Sequence, residues 1–369
     1  MFAFIWNYTM KKNLLAVLGL AAIAGASSCS EDFNVAAPYR NTTVATGLFS
    51  LNDTANGNSH YIRIQKAFMD EHQSAYDMAK VSDSSFYPES AIEVKIKEIS
   101  GANVVSTTIL NRVDLAAEGF TKDDGTFFTS PNYGYKYQHS LNTAYIYRLI
   151  ITNKNTGEVD SAQTGVITND NTVFRVSEFT LNNYMITFTT VKEGQQGVFT
   201  WNVRTPPNSQ TYDGIIRFRW VDKNTSTNEE TDHYADWRFA SNVLGTSSSA
   251  ITLKVDYSSF FSFLAGAMGP APVGIERYMD SCDLFCYAGD STVYHYQQYA
   301  SLTGGLTGDQ IKPFYSNVRS SVKGTYPVGI FATRAYVSSF NVPIDPMSLD
   351  SLKVNPQTIS LNIKGTSDH

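Results

Sequence analysis

Apolar and polar residues alternate in short segments along most of the chain. In Ala91–Ile99, the apolar residues Ile92, Val94 and Ile96 alternate with charged ones, and His60–Phe68 has the same period of two. This period is typical of β-strands that bury one face. Because such segments recur between turns rich in Asn, Asp and Gly, the pattern predicts a mainly β fold.

The clearest alternation lies in Leu141–Thr152. Tyr145 and Tyr147 share one predicted face, and Leu141 precedes Tyr145 by four residues across an Asn-Thr turn. This arrangement resembles the Leu-turn-Tyr corner of fibronectin-like and immunoglobulin-like sandwiches, in which the tyrosine hydroxyl holds the preceding crossover. The resemblance implies an N-terminal Ig/fibronectin-like β-sandwich over residues 42–168.

A turn-rich segment at residues 168–171 marks the predicted domain boundary. Beyond it, residues 172–369 are predicted to form a second β-rich domain with short helical inserts, at Tyr257–Leu264 and Ser291–Ala300 among others. Ile275–Tyr287 is predicted as one strand. The length of 369 residues also favours two domains over a single small sandwich.

Two cysteines, Cys282 and Cys286, fall within that predicted strand. In an extended chain, four residues span about 13 Å, which exceeds the roughly 7 Å Cα separation that a disulfide allows. The spacing therefore favours two buried thiols. A local disulfide stays open if the segment is a loop or a helical turn.

Residues 1–28 have the pattern of an export signal. The basic pair Lys11–Lys12 precedes the apolar run Leu14–Ala24, and small residues follow up to Cys29. The run is too short to span a bilayer as a helix. The end of the signal resembles a bacterial lipobox, which implies a lipid on Cys29 and a lipidated tether over residues 29–41. The alternative is an ordinary signal peptide with a cysteine nearby.

The residues that follow Cys29 bear on location. Ser30, Glu31 and Asp32 resemble the surface-export signal of Bacteroidota lipoproteins. The resemblance implies an outer-membrane, lipid-anchored protein on the cell surface. The alternative is a solvated acidic tether at the periplasmic face.

Charge narrows the range of partners. With 28 basic and 34 acidic residues, the chain has a net charge of −6. Nucleic-acid binding is disfavoured, because neutralising phosphates needs clustered Lys and Arg. A 13% aromatic and 17% charged composition is typical of extracellular β-domains.

Several segments resemble a family of Bacteroidota lipoproteins of unknown function. The segments are His60–Phe68, Asp83–Ser84, Gly308–Gln310, Tyr315–Val318 and Gly329–Phe331. The resemblance implies a lipoprotein that is accessory to a TonB-dependent outer-membrane receptor. It implies no catalytic residues.

Four short motifs resemble the three-residue O-glycosylation signal of Bacteroidota. The acceptors would be Thr54, Ser161, Ser291 and Ser351, each preceded by an aspartate. The alternative is that Asp-Ser and Asp-Thr pairs build turns. Of the four, Thr54 is the strongest expectation, because its turn should be exposed.

Catalytic motifs give no candidate. The sequence contains no nucleophile elbow, zinc-protease helix motif, phosphate-binding loop or dinucleotide fingerprint. We therefore predict no catalytic residue, no metal site and no cofactor.

Aromatic residues are the better functional clue. Tyr133, Tyr135 and Tyr137 alternate, and Trp220 and Trp237 fall on neighbouring predicted strands. Exposed, such rings would form a platform for a glycan or a partner protein. The alternative is that they pack between sheets.

Together these features predict a lipid-anchored, non-catalytic binding or accessory subunit near an outer-membrane receptor. Two alternatives stay open: a secreted carbohydrate-active hydrolase, or an adhesin or structural surface protein. A deep pocket with two carboxyl groups about 5–10 Å apart would favour the hydrolase.

Overall fold

A computed structural model describes residues 42–53, 57–67, 74–180, 185–188, 198–245, 250–301 and 315–364. The predicted signal peptide, the tether with Cys29, and Thr54 lie outside these ranges. Within them, no helix has the length and apolar character needed to cross a bilayer.

Strands dominate the described residues. They are β1 (Thr43–Phe49), β2 (Ser59–Lys66), β3 (Ile92–Ser100), β4 (Asn103–Ile109), β5 (Asn111–Asp114), β6 (Tyr133–Gln138), β7 (Ile146–Asn153), β8 (Val159–Gly165), β9 (Arg175–Val176), β10 (Val198–Arg204), β11 (Thr211–Asn224), β12 (Glu230–Leu244), β13 (Ala250–Asp256), β14 (Ile275–Tyr278), β15 (Ser281–Gly289), β16 (Arg319–Ser320), β17 (Val328–Pro343) and β18 (Ile363–Lys364). The helices are α1 (Ala75–Ala79), α2 (Ser82–Ser85), α3 (Ser258–Met268), α4 (Ser291–Ser301) and α5 (Pro346–Val354). The predicted mainly β fold is confirmed.

The first eight strands form the predicted sandwich. One sheet contains the order β1-β2-β6-β5, and the other contains β8-β7-β3-β4. These are the two strand orders of an immunoglobulin-like sandwich, with its Greek-key connections. The alternation of Ile92, Val94 and Ile96 places all three in the core between the sheets.

A tyrosine corner is present, but it is made by Tyr147 and not by the predicted Tyr145. The backbone N–H of Asn142 donates to the Tyr147 hydroxyl at 2.7 Å. Tyr147 is fully buried on the inner side of β7, whereas Tyr145 precedes the strand and is only partly buried. The corner therefore forms where the ring can enter the core and still reach the crossover.

The rest of the chain adds long strands to the first sheet. The order continues from β1 through β17, β15, β11, β14 and β18, and β12 pairs with the other edge of β11. A separate sheet has the order β13-β10-β9. The second core is rich in large rings, and its fully buried aromatic residues include Phe174, Phe188, Trp201, Tyr212, Phe218 and Phe260.

Three local predictions in this part can be compared with the structure. The predicted helices correspond to α3 and α4. The single strand predicted at Ile275–Tyr287 is wrong, because the chain breaks into β14 and β15 at Met279–Asp280. Cys282 and Cys286 are free, buried thiols, as the strand spacing predicted, and burial raises the pKa of both.

The two predicted domains share a sheet, although the structure has two hydrophobic cores. The first core contains residues from Ala45 to Val166 together with Val318 and Phe331 of the C-terminal part, and the second begins at Ile167. However, β1 pairs in parallel with β17, and all described residues belong to one compact unit. The C-terminal part therefore contributes both a strand and core residues to the sandwich, and independent folding of residues 42–168 and 172–369 stays a prediction.

Gly329 permits the close approach of β17 to β1. Its φ is +119°, and a Cβ there would lie 1.9 Å from the carbonyl oxygen of Ala45. Only glycine adopts such a conformation without strain and avoids this clash. The pairing that joins the two halves therefore depends on one glycine.

Buried polar groups reinforce the junction. The Thr164 hydroxyl and the Thr333 backbone N–H donate to Asp290 Oδ2 at 2.7 and 3.2 Å. Asn52 also contacts β17 through its side-chain amide, which donates to the carbonyl oxygen of Tyr336 at 3.0 Å and accepts from the backbone N–H of Tyr336 at 2.9 Å. These contacts hold β17 in register with elements of both halves.

Candidate ligand-binding face

The predicted aromatic platform on β6 is not exposed. Tyr135 and Tyr137 point into the sandwich core, where Tyr137 packs against Phe49 with a centroid distance of 5.5 Å. Burial raises the pKa of Tyr135 to about 12. Tyr133 is partly buried, with the Arg112 guanidinium 3.9 Å from its ring centroid. These rings therefore stabilise the sandwich instead of forming a stacking surface.

The predicted tryptophans are also core residues. Trp220 and Trp237 lie on the paired strands β11 and β12, and both are buried. Trp237 packs against Phe218, Phe239 and neighbouring rings of the second core. The prediction of an exposed platform at these positions is wrong, because their side of the sheet is covered by α3 and the smaller sheet.

The described glycosylation acceptors lie in contrasting places. Ser161 is in β8, which pairs with β7 and β16 on its two edges. Ser291 is exposed at the start of α4, and the Ser351 hydroxyl donates to the backbone of Met347 within α5. At Asp290, the carboxylate accepts from the Val293 backbone N–H at 2.9 Å, so this Asp-Ser pair starts a helix. Use of any of these sites for glycosylation stays a prediction.

A different set of rings is accessible, on the opposite face of the same sheet. Strands β12, β11, β15 and β17 lie side by side, and alternate residues point away from the second core. We call this surface the outer face. Its side chains are Asp213, Ile215, Arg217, Arg219, Tyr234, Asp236, Arg238, Asp283, Phe285, Tyr287, Arg334, Tyr336 and Phe340.

Four rings of the outer face form a cluster. Tyr287 and Tyr336 are directly opposite each other on β15 and β17, with centroids 5.2 Å apart. Phe285 lies 6.4 Å from Tyr287 and 5.7 Å from Phe340. Phe340 is 60% exposed. The cluster is therefore a ring surface that solvent reaches.

Arg217 extends this surface toward β12. Its guanidinium lies 4.6 Å from the ring centroid of Tyr234 and 5.6 Å from that of Phe285. Two parallel hydrogen bonds, of 2.7 and 2.8 Å, hold it to Asp236 on the neighbouring strand. This bidentate contact raises the pKa of Arg217 and fixes the plane of its guanidinium. Tyr234, 62% exposed, forms the far end of the row.

The other arginines of the outer face also have acidic partners. Arg219 donates to Asp283, whose carboxylate is buried, at 2.8 Å. Arg238 lies 3.8 Å from Asp213. Burial raises the pKa of the Asp53 carboxyl, and the positive charge of Arg334 partly offsets this rise. The positive charges of this face are thus compensated locally.

A groove adjoins the ring cluster where α4 crosses one end of the outer face. Its volume is about 420 Å³. The walls comprise Leu48, Thr211, Asp213, Ile215, Asp236, Arg238, Tyr287, Ala288, Gly289, Val293, Gln297 and Arg334. Gln297 Oε1 is buried and has no hydrogen-bond partner among the described residues. Tyr287 belongs to both the groove and the ring cluster, so the two form one continuous site.

A second hollow lies at the other end of the outer face. It has a volume of about 330 Å³ and is lined in part by Arg219, Asp232 and Tyr234. The ring cluster and Arg217 therefore lie between two depressions. Among the described residues, no group of three or more His, Cys, Asp or Glu side chains is placed to hold a metal ion.

Sequence reasoning overlooked this face although its signal was present. Phe285 and Tyr287 alternate with Cys282, Leu284 and Cys286, so the sequence already put them on the opposite side of one strand. What was missing was the pairing partner, because Tyr336 is distant in the chain. The site becomes visible only when β15 and β17 are side by side.

Comparisons with known proteins do not add to this assignment. No protein-family model matches the chain, and no curated protein matches it. The resemblance to Bacteroidota lipoproteins therefore stays a prediction.

Proposed function

We propose that this protein is a lipid-anchored envelope protein whose folded part is a non-catalytic binding module, acting as an accessory subunit near an outer-membrane receptor. The observation that carries the binding role is the outer face. Its solvent-accessible rings lie among paired charges and beside a groove of about 420 Å³. That volume falls within the range of roughly 300–1,000 Å³ common for ligand sites.

The contacts of the groove carboxylates support binding over hydrolysis. Asp213 and Asp236 both line the groove, and a pair of carboxyl groups is what a glycoside hydrolase uses. Both oxygens of Asp236, however, accept hydrogen bonds from Arg217. Asp213 accepts from the Asn242 backbone N–H at 2.6 Å and lies near Arg238. Both carboxylates are thus already engaged by groups of the protein, which supports a binding role.

The envelope location is supported by the sequence. The export signal, Cys29 and the acidic residues after it favour an outer-membrane lipoprotein on the cell surface. The lipid would attach the chain to the outer membrane, and a TonB-dependent receptor is the proposed protein partner. Two or more acyl chains would make this attachment stable.

Fractionation of cells expressing Cys29→Ser tests the anchor. We expect the wild-type chain in the outer-membrane fraction and the variant in the soluble fraction, with Ser30→Ala as the matched control that stays in the membrane. Protease added to intact cells should cleave the wild-type chain if it faces outward. A soluble wild-type chain would contradict the anchor, and full protection from protease would favour the periplasmic face.

The carboxylates that line the groove make a carbohydrate-active hydrolase the second candidate. Incubating the protein with neutral polysaccharides and measuring new reducing ends separates the two functions. We expect no release of reducing ends. Release that Asp236→Asn abolishes would replace the binding function with hydrolysis.

A further inference from the structure

We propose that the outer face binds an uncharged oligosaccharide chain that runs across the rings of β12, β11, β15 and β17. This inference rests on the proposed binding function and specifies its ligand class. It depends on three features of the face: the shape of the ring row, the pairing of its charges, and the hollows at its two ends.

The ring row offers a sugar a surface of matching polarity, with rings tilted to one another by 28° at Phe285 and Tyr287 and by 81° at Phe285 and Phe340. The guanidinium of Arg217 lies between Tyr234 and Phe285, and Phe285 continues to Phe340 and Tyr287. A pyranose ring has C–H groups on its faces, which are attracted to the negative face of an aromatic ring. Because Asp236 holds the guanidinium plane, this surface needs little reordering when a ligand binds.

Charge pairing disfavours an anionic ligand. The arginines of the face are compensated by Asp236, Asp283, Asp213 and Asp53. A phosphate, a sulfated chain or an acidic peptide would meet the negative charge of a carboxylate beside each of these arginines. Sugar hydroxyls, in contrast, can share the free donor and acceptor positions of such pairs without breaking them.

The two hollows argue for an extended chain over a single small molecule. The groove beside α4 contacts the ring row at Tyr287, and the hollow at the other end of the outer face contacts it at Tyr234. The groove wall also contains Tyr287 and Gln297, whose hydroxyl and amide groups suit a polyhydroxylated ligand. A chain of several sugars would cover the rings and place one end in the groove.

Affinity electrophoresis of the detergent-solubilised full chain tests the proposal. Native gels would contain soluble starch, xylan, galactomannan or laminarin as neutral probes, and polygalacturonate or heparin as acidic ones. We expect retardation by at least one neutral probe and none by the acidic probes. Retardation by an acidic probe alone, or by no probe at all, would overturn the proposal.

Variants of the ring row connect binding to this face. For the probe that retards the wild-type chain, Phe285→Ala combined with Tyr336→Ala should weaken binding by at least about tenfold. Tyr326→Ala is the matched control, because Tyr326 is 78% exposed and does not belong to the outer face, and it should bind as wild type. An unchanged affinity in the double variant, with a wild-type near-UV CD spectrum, would rule out the outer face as the glycan site.

Failure of this inference can be told apart from failure of the proposed function. A chain that no polysaccharide retards, but that is membrane-bound through Cys29 and co-purifies with an outer-membrane receptor, loses only the glycan ligand. A chain that releases reducing ends from a neutral polysaccharide keeps the ligand class and loses the non-catalytic role.

Discussion

The sheet formed by β15 and its neighbours has aromatic side chains on both faces, but one face is buried in the second core and the other is open to solvent. On the inner face, Phe218 is fully buried among other rings of the second core. On the outer face, Phe340 is 60% exposed, and the rings near it alternate with Arg–Asp pairs. Aromatic content alone therefore does not identify a binding surface. What matters is whether a second layer covers that face of the sheet.

The largest expected effect comes from removing one ring from the inner face. Phe218→Ala should lower the free energy of unfolding by about 3–5 kcal/mol, because it leaves a cavity in a close-packed core. The matched change on the outer face, Phe340→Ala, should cost under about 0.5 kcal/mol. Urea unfolding followed by tryptophan fluorescence measures both, and equal losses would remove the distinction between the faces.

The second prediction concerns His60, a buried histidine in the sandwich core. Burial lowers its pKa to about 4, from an ordinary value of 6.5. Between pH 4 and 6.5, His60 is therefore protonated in the unfolded chain and neutral in the folded chain. Its contribution to the free energy of unfolding is complete above pH 6.5 and is lost as the pH falls toward 4. The loss should be on the order of 2–3 kcal/mol.

The readout for His60 is the difference between wild type and His60→Leu in the pH dependence of unfolding free energy. The comparison with the variant is needed because other groups also titrate. Burial raises the pKa of Asp160 and Asp290, so these two carboxyls add stability as the pH falls, whereas His60 removes it. The variant should have a flatter profile between pH 6.5 and 4. Parallel profiles for wild type and His60→Leu would contradict the prediction.

The third prediction compares the two tyrosines of the crossover. Tyr147→Phe removes the acceptor of the Asn142 N–H and should cost about 1–2 kcal/mol, since a partly buried donor loses its partner. Tyr145→Phe should cost under about 0.5 kcal/mol. Thermal unfolding measures the loss of stability in both variants. A larger loss for Tyr145→Phe than for Tyr147→Phe would mean that Tyr145 forms the corner.

The smallest effect is expected for the ion pair of the outer face. Arg217 and Asp236 are both partly exposed, so solvent screens their attraction. A double-mutant cycle with Arg217→Gln and Asp236→Asn should give a coupling in unfolding free energy under about 1 kcal/mol. A coupling of several kcal/mol would mean that this pair supports the fold and is not mainly part of a binding surface.

Much of the local structure followed from periodicity. The alternation in Ala91–Ile99 placed the inward residues of β3 correctly, and the spacing of Cys282 and Cys286 predicted free buried thiols. The candidate site could not be predicted in this way. The alternation around Tyr135, Tyr137, Trp220 and Trp237 is the same whether these rings lie on the buried or on the exposed side of a sheet. Sequence alternation sorts side chains into two sets but does not say which set meets another layer.

The sequence was enough to predict a β-rich chain and to say which residues share a side of each strand, because strand geometry repeats every two residues. Long-range packing set the parallel pairing of β1 with β17, the choice of Tyr147 for the corner, and the partial exposure of Phe285 and Tyr336. These outcomes depend on contacts between segments far apart in the chain. Such contacts form only when one face of the long sheet is covered and the other is left to solvent.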